Sequence, residues 1–316
     1  MQQRMQSSAN LAHTQQSPRV APNLIMALAI SLVTQLSFLA ARPARTTHRR
    51  GGAPRCCATA AEELPGTFAP FIDSMMAIFE EAGVPLEAYP LADEHRQRET
   101  ETGSSARQQR VQLSMLAYSS TKLRHIRVAH IQGGDSLQVL NLCLFPRLDF
   151  TLPTFSADLV TLPGGHLIAI DCQPNDAKAE SDSWLRDAFE LHRQKLPDGG
   201  PVAPETARFF SNSFLWSRLP LSCTPDEVRA LVLPAFEDYL RCYLQAVADA
   251  EPAADAETLA RVREGQLAYC DYRISKDPAR GMLTRLFGTE YAEELIAGAL
   301  FDLPRVLHLE ADAGGE

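Results

Sequence analysis

The feature that most constrains the fold is a series of five strand-like segments between residues 111 and 173, each separated from the next by turn-forming residues. The turns Gly133-Gly134-Asp135 and Pro163-Gly164-Gly165 have the length that joins neighbouring strands antiparallel. The sequence therefore predicts an antiparallel sheet. Its predicted strands are Val111–Ser119, Arg124–Gln132, Ser136–Pro146, Ala157–Leu162 and His166–Gln173, with a later strand at Phe214–Leu219.

Helical segments precede and follow these strands. Phe68–Ala82 places apolar residues at helical spacing and stops at Gly83. The polar stretch Asp93–Arg110 is expected to be a solvated loop. Antiparallel strands bracketed by helices favour an α/β fold, a three-layer α/β/α sandwich with a central antiparallel sheet. The other predicted helices are Ser181–Leu196, Asp226–Ala250, Asp255–Tyr272, Pro278–Phe287 and Glu290–Leu300.

The first sixty residues differ from the rest of the chain. They contain seven arginines and no Asp or Glu, and Leu24–Ala41 is an uncharged apolar run of 18 residues directly before the basic tract Arg42–Arg55. A signal peptide followed by a transit peptide would explain both parts, by analogy with algae that have secondary plastids. We therefore expect residues 1–60 to be a bipartite plastid-targeting presequence and residues 61–316 to form a single domain in the plastid stroma.

A membrane anchor is the alternative interpretation of the apolar run, because 18 residues is near the lower limit for a spanning helix. Ser31, Thr34, Gln35 and Ser37 dilute the run, and Ala40-Ala41 supplies small residues for cleavage. The cleaved presequence is therefore preferred, and the mature domain is expected to have no membrane segment.

The mature domain is acidic. Removing the seven presequence arginines from 30 Lys and Arg leaves 23 against 39 Asp and Glu, a formal charge of −16 compared with −9 for the whole chain. Nucleic-acid-binding surfaces are basic. A nucleic-acid partner is therefore not expected.

The sequence lacks the common cofactor motifs. There is no GxGxxG after a strand, no GxxxxGK[ST] and no HExxH, and no nucleophile elbow. Beyond the presequence there is no CxxC or CxxH, so we expect neither an iron–sulfur cluster nor structural zinc. An odd number of thiols fits a reducing compartment. These five are Cys143, Cys172, Cys223, Cys242 and Cys270.

Two polar residues stand among apolar neighbours in predicted strands. Asn141 shares one strand face with Val139 and Cys143, and it could equally be a core amide bonded to a neighbouring strand. Asp158 lies in an otherwise apolar strand, where burial would raise its pKa and let it donate a proton at neutral pH. The alternative for Asp158 is a partly exposed residue paired with an arginine.

Arg273 and Asp277 are four residues apart, next to a proline. They would share one face if helical geometry persists through this segment. Asp277 directly before Pro278 also has the form of an N-cap that leads a new helix. Both interpretations remain open from the residues alone.

Several stretches together resemble the ferredoxin-dependent bilin reductase family. They span roughly residues 111 to 303, which is nearly the whole mature domain. The matching stretches are Leu137-Gln138-Val139-Leu140-Asn141, Phe145-Pro146, Leu152-Pro153, Ala157-Asp158-Leu159-Val160, Leu162-Pro163-Gly164-Gly165-His166-Leu167, Asp171-Cys172-Gln173-Pro174, Phe209-Phe210-Ser211, Leu215-Trp216-Ser217-Arg218, Tyr272-Arg273, Lys276-Asp277-Pro278-Ala279-Arg280-Gly281-Met282-Leu283 and Leu300-Phe301-Asp302-Leu303.

The resemblance implies the three-layer sandwich and a reaction without a bound cofactor. Family members reduce an open-chain tetrapyrrole with single electrons from external reduced ferredoxin, a 2Fe-2S protein. Buried acids supply protons, and bilin radicals form between the steps. The substrate is then the redox centre, so the protein must hold it, exclude water and place proton donors.

The resemblance also implies roles for individual residues. Asp158 matches the family's central-sheet aspartate under the bilin, Asp277 the second aspartate, and Arg273 the arginine near it. The two aspartates are expected to be catalytic, and Arg273 and Asn141 are expected to bind the substrate. Asn141 stands where the phycocyanobilin-forming branch has a catalytic histidine, and Ala129 where that branch has a glutamate. These two departures argue against reduction of a D-ring vinyl group.

Residues 159–163 and 215–221 are most similar to the branch that converts 15,16-dihydrobiliverdin to phycoerythrobilin, by reduction of the A-ring diene system. Arg218 and Arg127 are candidates for pairing with the bilin propionates, since a guanidinium binds a carboxylate in bidentate fashion. Surface ion pairing is the alternative role for both.

The expected partners are ferredoxin and the bilin, and they can include an upstream bilin reductase that hands over substrate. The mature protein is expected to be a monomer. Ferredoxin is normally acidic, so a local basic patch is expected from Lys276, Arg280 and Arg285. Two alternatives stay open, which are another regiospecificity of bilin reduction and a bilin carrier that binds without catalysis.

Overall fold

The computed structural model describes residues 66–104, 107–175 and 183–313. The predicted presequence, residues 1–60, lies outside the described residues. Among those described, no helix combines the length and apolar character needed to cross a lipid bilayer.

The centre of the molecule is an eight-stranded antiparallel sheet in the order β1-β3-β4-β5-β6-β7-β8, with β2 also paired to β3. Consecutive hairpins from β3 to β7 place each strand beside the next one in sequence, as the turn residues predicted. The strands are β1 Glu87–Ala88, β2 Gln97–Ser104, β3 Arg107–Ser119, β4 Leu123–Gln132, β5 Gln138–Pro146, β6 Thr154–Leu162, β7 Gly165–Gln173 and β8 Leu215–Leu219.

The β6–β7 turn requires glycine. Gly165 has a φ of 129°, which side-chain-bearing residues rarely adopt. A Cβ at Gly165 would also lie 2.5 Å from the carbonyl oxygen of Leu219. The turn therefore brings β8 close to the start of β7.

Helices cover both faces of the sheet, and this confirms the predicted three-layer arrangement. In β5, Leu140, Leu142 and Leu144 pack into one apolar cluster, while Val139 and Cys143 pack into another. The helices are α1 Ala69–Glu81, α2 Asp93–Arg96, α3 Arg186–Arg193, α4 Pro204–Ala207, α5 Pro225–Asp249, α6 Ala256–Lys276, α7 Arg280–Phe287, α8 Thr289–Glu294, a π-helical segment Leu295–Leu300, and α9 Leu303–Ala313.

The two helical layers come from different parts of the chain. The first layer contains α1, α3 and α5, whose buried residues belong to the cluster around Leu140. The second layer contains α6 to α9, whose buried residues belong to the cluster around Val139. The sheet therefore lies between an early and a late set of helices.

The segment 93–110, predicted to be a loop, is instead α2, β2 and the start of β3. It pairs in register from Gln97↔Ser114 to Ser104↔Arg107. The prediction was wrong because β2 is an outer strand, and polar residues are tolerated where one strand edge and one face meet solvent. The C-terminal helix α9 was also missed.

Several predicted boundaries shift. The helix predicted to end at Tyr272 continues to Lys276, and the next helix begins at Arg280. Part of the predicted helix Ser181–Leu196 lies outside the described residues, and Arg186–Arg193 is helical. Strand β6 begins at Thr154 rather than at Ala157.

Helix α6 is held against the segment that follows β7. Asn175 is buried there; its Oδ1 accepts from Thr154 Oγ1 (3.0 Å) and its Nδ2 donates to the Leu152 carbonyl (2.9 Å). A Cβ at Gly265 in α6 would lie 1.7 Å from the carbonyl oxygen of Asn175. Only glycine at this position lets the helix approach the sheet so closely.

Candidate active site

A line of directly paired residues crosses the sheet on the side of the second helical layer. The register joins Ala129 to Asn141, Asn141 to Asp158, Asp158 to Ala169, and Ala169 to Trp216. Directly paired residues in an antiparallel sheet project from the same face. We call these five residues the cross-sheet row.

Four residues of the cross-sheet row are partly accessible, and we call the accessible part of the sheet face over them the cleft. Asn141 is the one residue of β5 that is not fully buried, and Asp158, Ala169 and Trp216 are also half-buried. The strand residues in the second-layer cluster come from β3, β4 and β5, with only Val160 of β6 packed partly against it. The second layer therefore covers one half of this face and leaves the half at β6–β8 accessible.

One wall of the cleft is formed by the segment before β8. The Phe209 ring lies 4.8 Å from the ring of Tyr272 and 5.6 Å from that of Tyr269, both in α6. The carboxylate of Asp171 in β7 accepts from Ser211 N (2.9 Å) and Ser211 Oγ (2.5 Å). Asp171 therefore ties this segment to the sheet while Phe209 holds it against α6.

Asp158 has the environment of a proton donor. Burial raises the pKa of its carboxyl, since it disfavours the charged form, and the negative charge of Asp277 acts in the same direction. The Arg273 charge, a hydrogen bond from Asn141 and the Arg127 charge oppose this rise in pKa without cancelling it. Among the described residues, no arginine forms an ion pair with Asp158. The alternative interpretation of Asp158, a partly exposed residue paired with an arginine, is therefore not favoured.

Asp277 lies at the end of α6, as its C-terminal capping residue. Its Oδ2 accepts from Arg273 Nη2 (2.7 Å), and its Oδ1 accepts from the backbone N–H of Ala279 (2.8 Å). Helical geometry persists far enough to bring Arg273 and Asp277 together. The N-cap interpretation of Asp277 was wrong, because the residue that caps α7 is Ala279.

The side chain of Arg273 is mostly buried, between the Asp277 carboxylate and the ring of Phe301, whose centre is 5.2 Å from the guanidinium carbon. Burial disfavours its charge, yet the nearby Asp277, Tyr269 and Asp158 keep the pKa of Arg273 above its usual value. Arg273 therefore stays positively charged next to both carboxylates.

Arg127 is completely buried, and each of its three side-chain nitrogens contacts another protein atom. Nε donates to the carbonyl of Leu300 (2.7 Å), Nη1 to Asn141 Oδ1 (2.5 Å), and Nη2 contacts Cys143 Sγ (3.2 Å). The predicted pairing of Arg127 with a propionate is therefore not retained, because the side chain is buried between the sheet and the second helical layer and has protein partners there.

Arg218 differs from Arg127 in its surroundings. It is half-buried in β8, and its guanidinium carbon lies 5.9 Å from the centre of the Trp216 ring. Its side chain projects from the same face of β8 as Trp216, so the guanidinium borders the accessible part of that face. The candidate role in binding an anionic group thus remains with Arg218.

A buried charged cluster was missed by sequence reasoning. Asp302, directly before α9, accepts from Tyr89 Oη (2.5 Å) and Arg124 Nη1 (2.9 Å), and His125 Nδ1 lies 3.3 Å away. Burial opposes ionisation, but His125 and Arg124 outweigh it and hold the pKa of Asp302 well below its usual range. The signal was an aspartate between apolar residues at 300–303.

In the described ranges, no three His, Cys, Asp or Glu side chains come together in a way that would hold a metal ion. The absence of a bound cofactor stays a prediction.

Comparison with known proteins points to one family. The family model for ferredoxin-dependent bilin reductases matches residues 76–302. A protein named phycoerythrobilin:ferredoxin oxidoreductase from Nostoc punctiforme is 43% identical over 248 residues, which is 76% of this chain and 94% of that protein. One of the same name from Gloeobacter violaceus is 51% identical over 194 residues, 60% of this chain and 78% of that protein.

A solved structure agrees with these matches. The crystal structure of phytochromobilin synthase from tomato in complex with biliverdin has a TM-score of 0.64 and 28% sequence identity. The similarity covers 75% of this chain and 83% of the tomato chain.

Proposed function

The chain belongs to the ferredoxin-dependent bilin reductase family, and we propose that it reduces 15,16-dihydrobiliverdin to phycoerythrobilin with electrons from ferredoxin. The observation that carries the proposal is a half-buried carboxyl with a raised pKa, Asp158, in the cleft beside the Arg273–Asp277 pair. Relatives at 41–51% identity share a name that contains phycoerythrobilin, which supports this choice of product.

In the proposed mechanism the bilin is the redox centre. Two reduced ferredoxins each deliver one electron, and two protons complete the reduction of the A-ring diene system. Each added electron makes the bilin more basic, so an adjacent neutral carboxyl can transfer its proton and trap the radical before the electron returns. Asp158 donates its own proton from the sheet, whereas Asp277, a carboxylate paired with Arg273, relays the second proton from solvent to the reduced bilin. Solvent then reprotonates Asp158.

The proposed bilin orientation uses the aromatic and basic residues of β8. The Trp216 ring lies at the end of the cross-sheet row, and the half-buried Arg218 follows two residues later in β8 on the same face, where its guanidinium can meet a propionate. A flat conjugated ligand would then cover Asp158 while its acidic side chain meets Arg218. Substitution of Arg218 by Met should weaken bilin binding more than it slows turnover of bound bilin.

The proposal is tested by incubating the purified protein anaerobically with reduced ferredoxin and either 15,16-dihydrobiliverdin or biliverdin. We expect conversion of the first to phycoerythrobilin, followed by absorption spectra and chromatography. Conversion of biliverdin alone would assign a different regiospecificity. A single spectral shift on binding, with no product, would instead identify a bilin carrier.

The roles of the two acids are tested by Asp158→Asn and Asp277→Asn. Both variants should bind bilin, while product formation falls by about 10² to 10⁴. At least one variant should accumulate a bilin radical visible by electron paramagnetic resonance if the acids act in sequence. Asp149→Asn, at an exposed site, is the control. Near-normal product yield from both single variants would reject the proton-donor roles.

We further propose that the protein acts as a soluble stromal enzyme after removal of residues 1–60. Expression of residues 61–316 tests this, with an active product in the absence of detergent as the expected result. A product that requires detergent would instead support the membrane-anchor interpretation.

A further inference from the structure

Arg127 is an unusual buried residue for this site. Its side chain has no exposed surface, and no carboxylate lies within ion-pair distance of it in the described part of the chain. Its guanidinium is also stacked against Phe301, with 5.0 Å between the guanidinium carbon and the ring centre. A buried charge without an ion-pair partner is costly and needs hydrogen bonds that hold it in place.

The hydrogen bond between Arg127 and Asn141 fixes the orientation of the Asn141 amide. Arg127 Nη1 donates to Asn141 Oδ1 at 2.5 Å, which fixes the amide oxygen toward β4. The NH₂ group of the same amide must then point to the other side, where Asp158 lies opposite Asn141 in the register. Arginine is only a donor, so the reversed amide would set N–H against N–H and is disfavoured.

We infer that Arg127 is a positioning residue that holds the Asn141 amide with its NH₂ toward Asp158, and so sets how readily Asp158 releases its proton. This inference rests on the proposed function only for its catalytic meaning. The hydrogen bond from Nε to the Leu300 carbonyl keeps the guanidinium in the plane that this orientation needs. An amide N–H donated to a carboxylate stabilises the ionised form.

Other charged groups also face Asp158. Arg127 in β4 and Cys143 in β5 lie on the sheet side, and Arg273 and Asp277 face it from α6. Removal of Arg127 takes away one positive charge and releases the amide. Both effects favour the protonated form of Asp158, so the pKa of Asp158 should rise in an Arg127→Met variant.

The test is an infrared titration of the ligand-free protein, in which the carboxylic C=O band lost in Asp158→Asn identifies Asp158. We expect the titration midpoint of that band in Arg127→Met to move to higher pH by about one unit, a tenfold change in proton affinity. An unchanged midpoint in folded Arg127→Met would overturn the inference. No substrate is needed, so the result is independent of the reaction that the protein catalyses.

A second variant covers the case in which Arg127→Met does not fold. Asn141→Ala removes the amide at the edge of the cleft and should shift the same midpoint in the same direction. The double variant should shift it by less than the sum of the two, because both act through one amide. Fully additive shifts would overturn the inference.

Cys143→Ala is the matched control. It removes one contact of the guanidinium from the same strand face as Asn141 but leaves the contact with the amide. Its titration midpoint should match that of the unmodified protein. An equal shift in Cys143→Ala would overturn the inference, since any disturbance near Arg127 would then have the same effect.

Discussion

Arg273 and Asp277 lie one turn apart at the end of α6, with Nη2 of the arginine 2.7 Å from Oδ2 of the aspartate. The carboxyl side chain is almost fully buried, and its other oxygen accepts the N–H of Ala279. One carboxylate therefore both neutralises a buried cation and joins α6 to α7.

This pair should contribute to stability as a unit. In Asp277→Asn, one amide oxygen cannot accept from both Arg273 and Ala279, so the arginine is left without its counter-charge. We expect the free energy of unfolding to fall by about 3 kcal/mol, measured by urea denaturation. Adding Arg273→Gln should restore part of the loss. Asp271→Asn, at an exposed site of α6, should have little effect. Equal stability of Asp277→Asn and the unmodified protein would contradict the prediction.

Gly265→Ala should displace α6 from the sheet. The new methyl group cannot fit 1.7 Å from the Asn175 carbonyl, and a backbone contact cannot be relieved by a side-chain rotation. We expect a loss of about 3 kcal/mol or more in the free energy of unfolding, despite the higher helix propensity of alanine. Glu264→Ala, on the exposed side of the same helix, is the control. Weaker bilin binding in the variant, measured by absorption titration, would follow because α6 carries Arg273.

Docking of ferredoxin should depend on salt. Within the predicted basic patch, Lys276 and Arg285 are exposed, and Arg280 pairs with Glu293 and donates to the carbonyl of Ile274. Charge attraction is screened over about 10 Å at 0.1 M salt. Ferredoxin-limited turnover should therefore fall as salt rises, with a smaller change in bilin affinity.

Charge reversal distinguishes this surface from the rest of the molecule. Lys276→Glu should raise the KM for ferredoxin several-fold, and Lys195→Glu at the distant α3 end should leave it unchanged. Turnover that is indifferent to salt, with equal KM values for both variants, would rule out a charged dock at the end of α6.

Asp302 should make stability depend on pH. Its pKa is lowered in the folded protein, chiefly by His125 and Arg124, which outweigh the opposing effect of burial. The stabilisation is therefore complete above the unfolded pKa of about 3.9 and is lost as pH falls toward the folded value. The difference in free energy of unfolding between the unmodified protein and Asp302→Asn should be constant above about pH 5 and shrink below about pH 4. Asp312→Asn, in the exposed part of α9, provides the comparison. If this difference in free energy of unfolding does not change with pH, Asp302 stabilises the fold through its packing and not through its charge.

The architecture could be predicted from the sequence because hairpins have recognisable turn residues. Gly134 and Gly165 adopt the positive φ values that their turns require, and each short turn joins strands that are neighbours in sequence. The alternation around Asn141 also predicted its face correctly. By contrast, β2 has a polar composition that gives no strand signal, and only its pairing with β3 makes it a strand.

The candidate site could be predicted from the sequence only in part. Period two predicted the strand face of Asn141, and helical spacing predicted the Arg273–Asp277 pair as one of two interpretations. That Asp158 shares the face of Asn141 follows only from the register of β5 and β6. The different environments of Arg127 and Arg218 could not be predicted, since both are arginines in strands. Arg127 donates to the carbonyl of Leu300, which lies far away in sequence, and Arg218 does not. Such contacts are tertiary and leave no local pattern.

The cross-sheet row runs perpendicular to the strands, so its neighbouring members are separated by one strand spacing, about 4.8 Å. An acid on β6 therefore meets a flat ligand at one fixed distance along the row. The same acid moved to position 141 or 169 would meet the ligand about 4.8 Å to either side. Under the proposed mechanism, the carbon atom that receives the proton is therefore set by the strand that carries the acid.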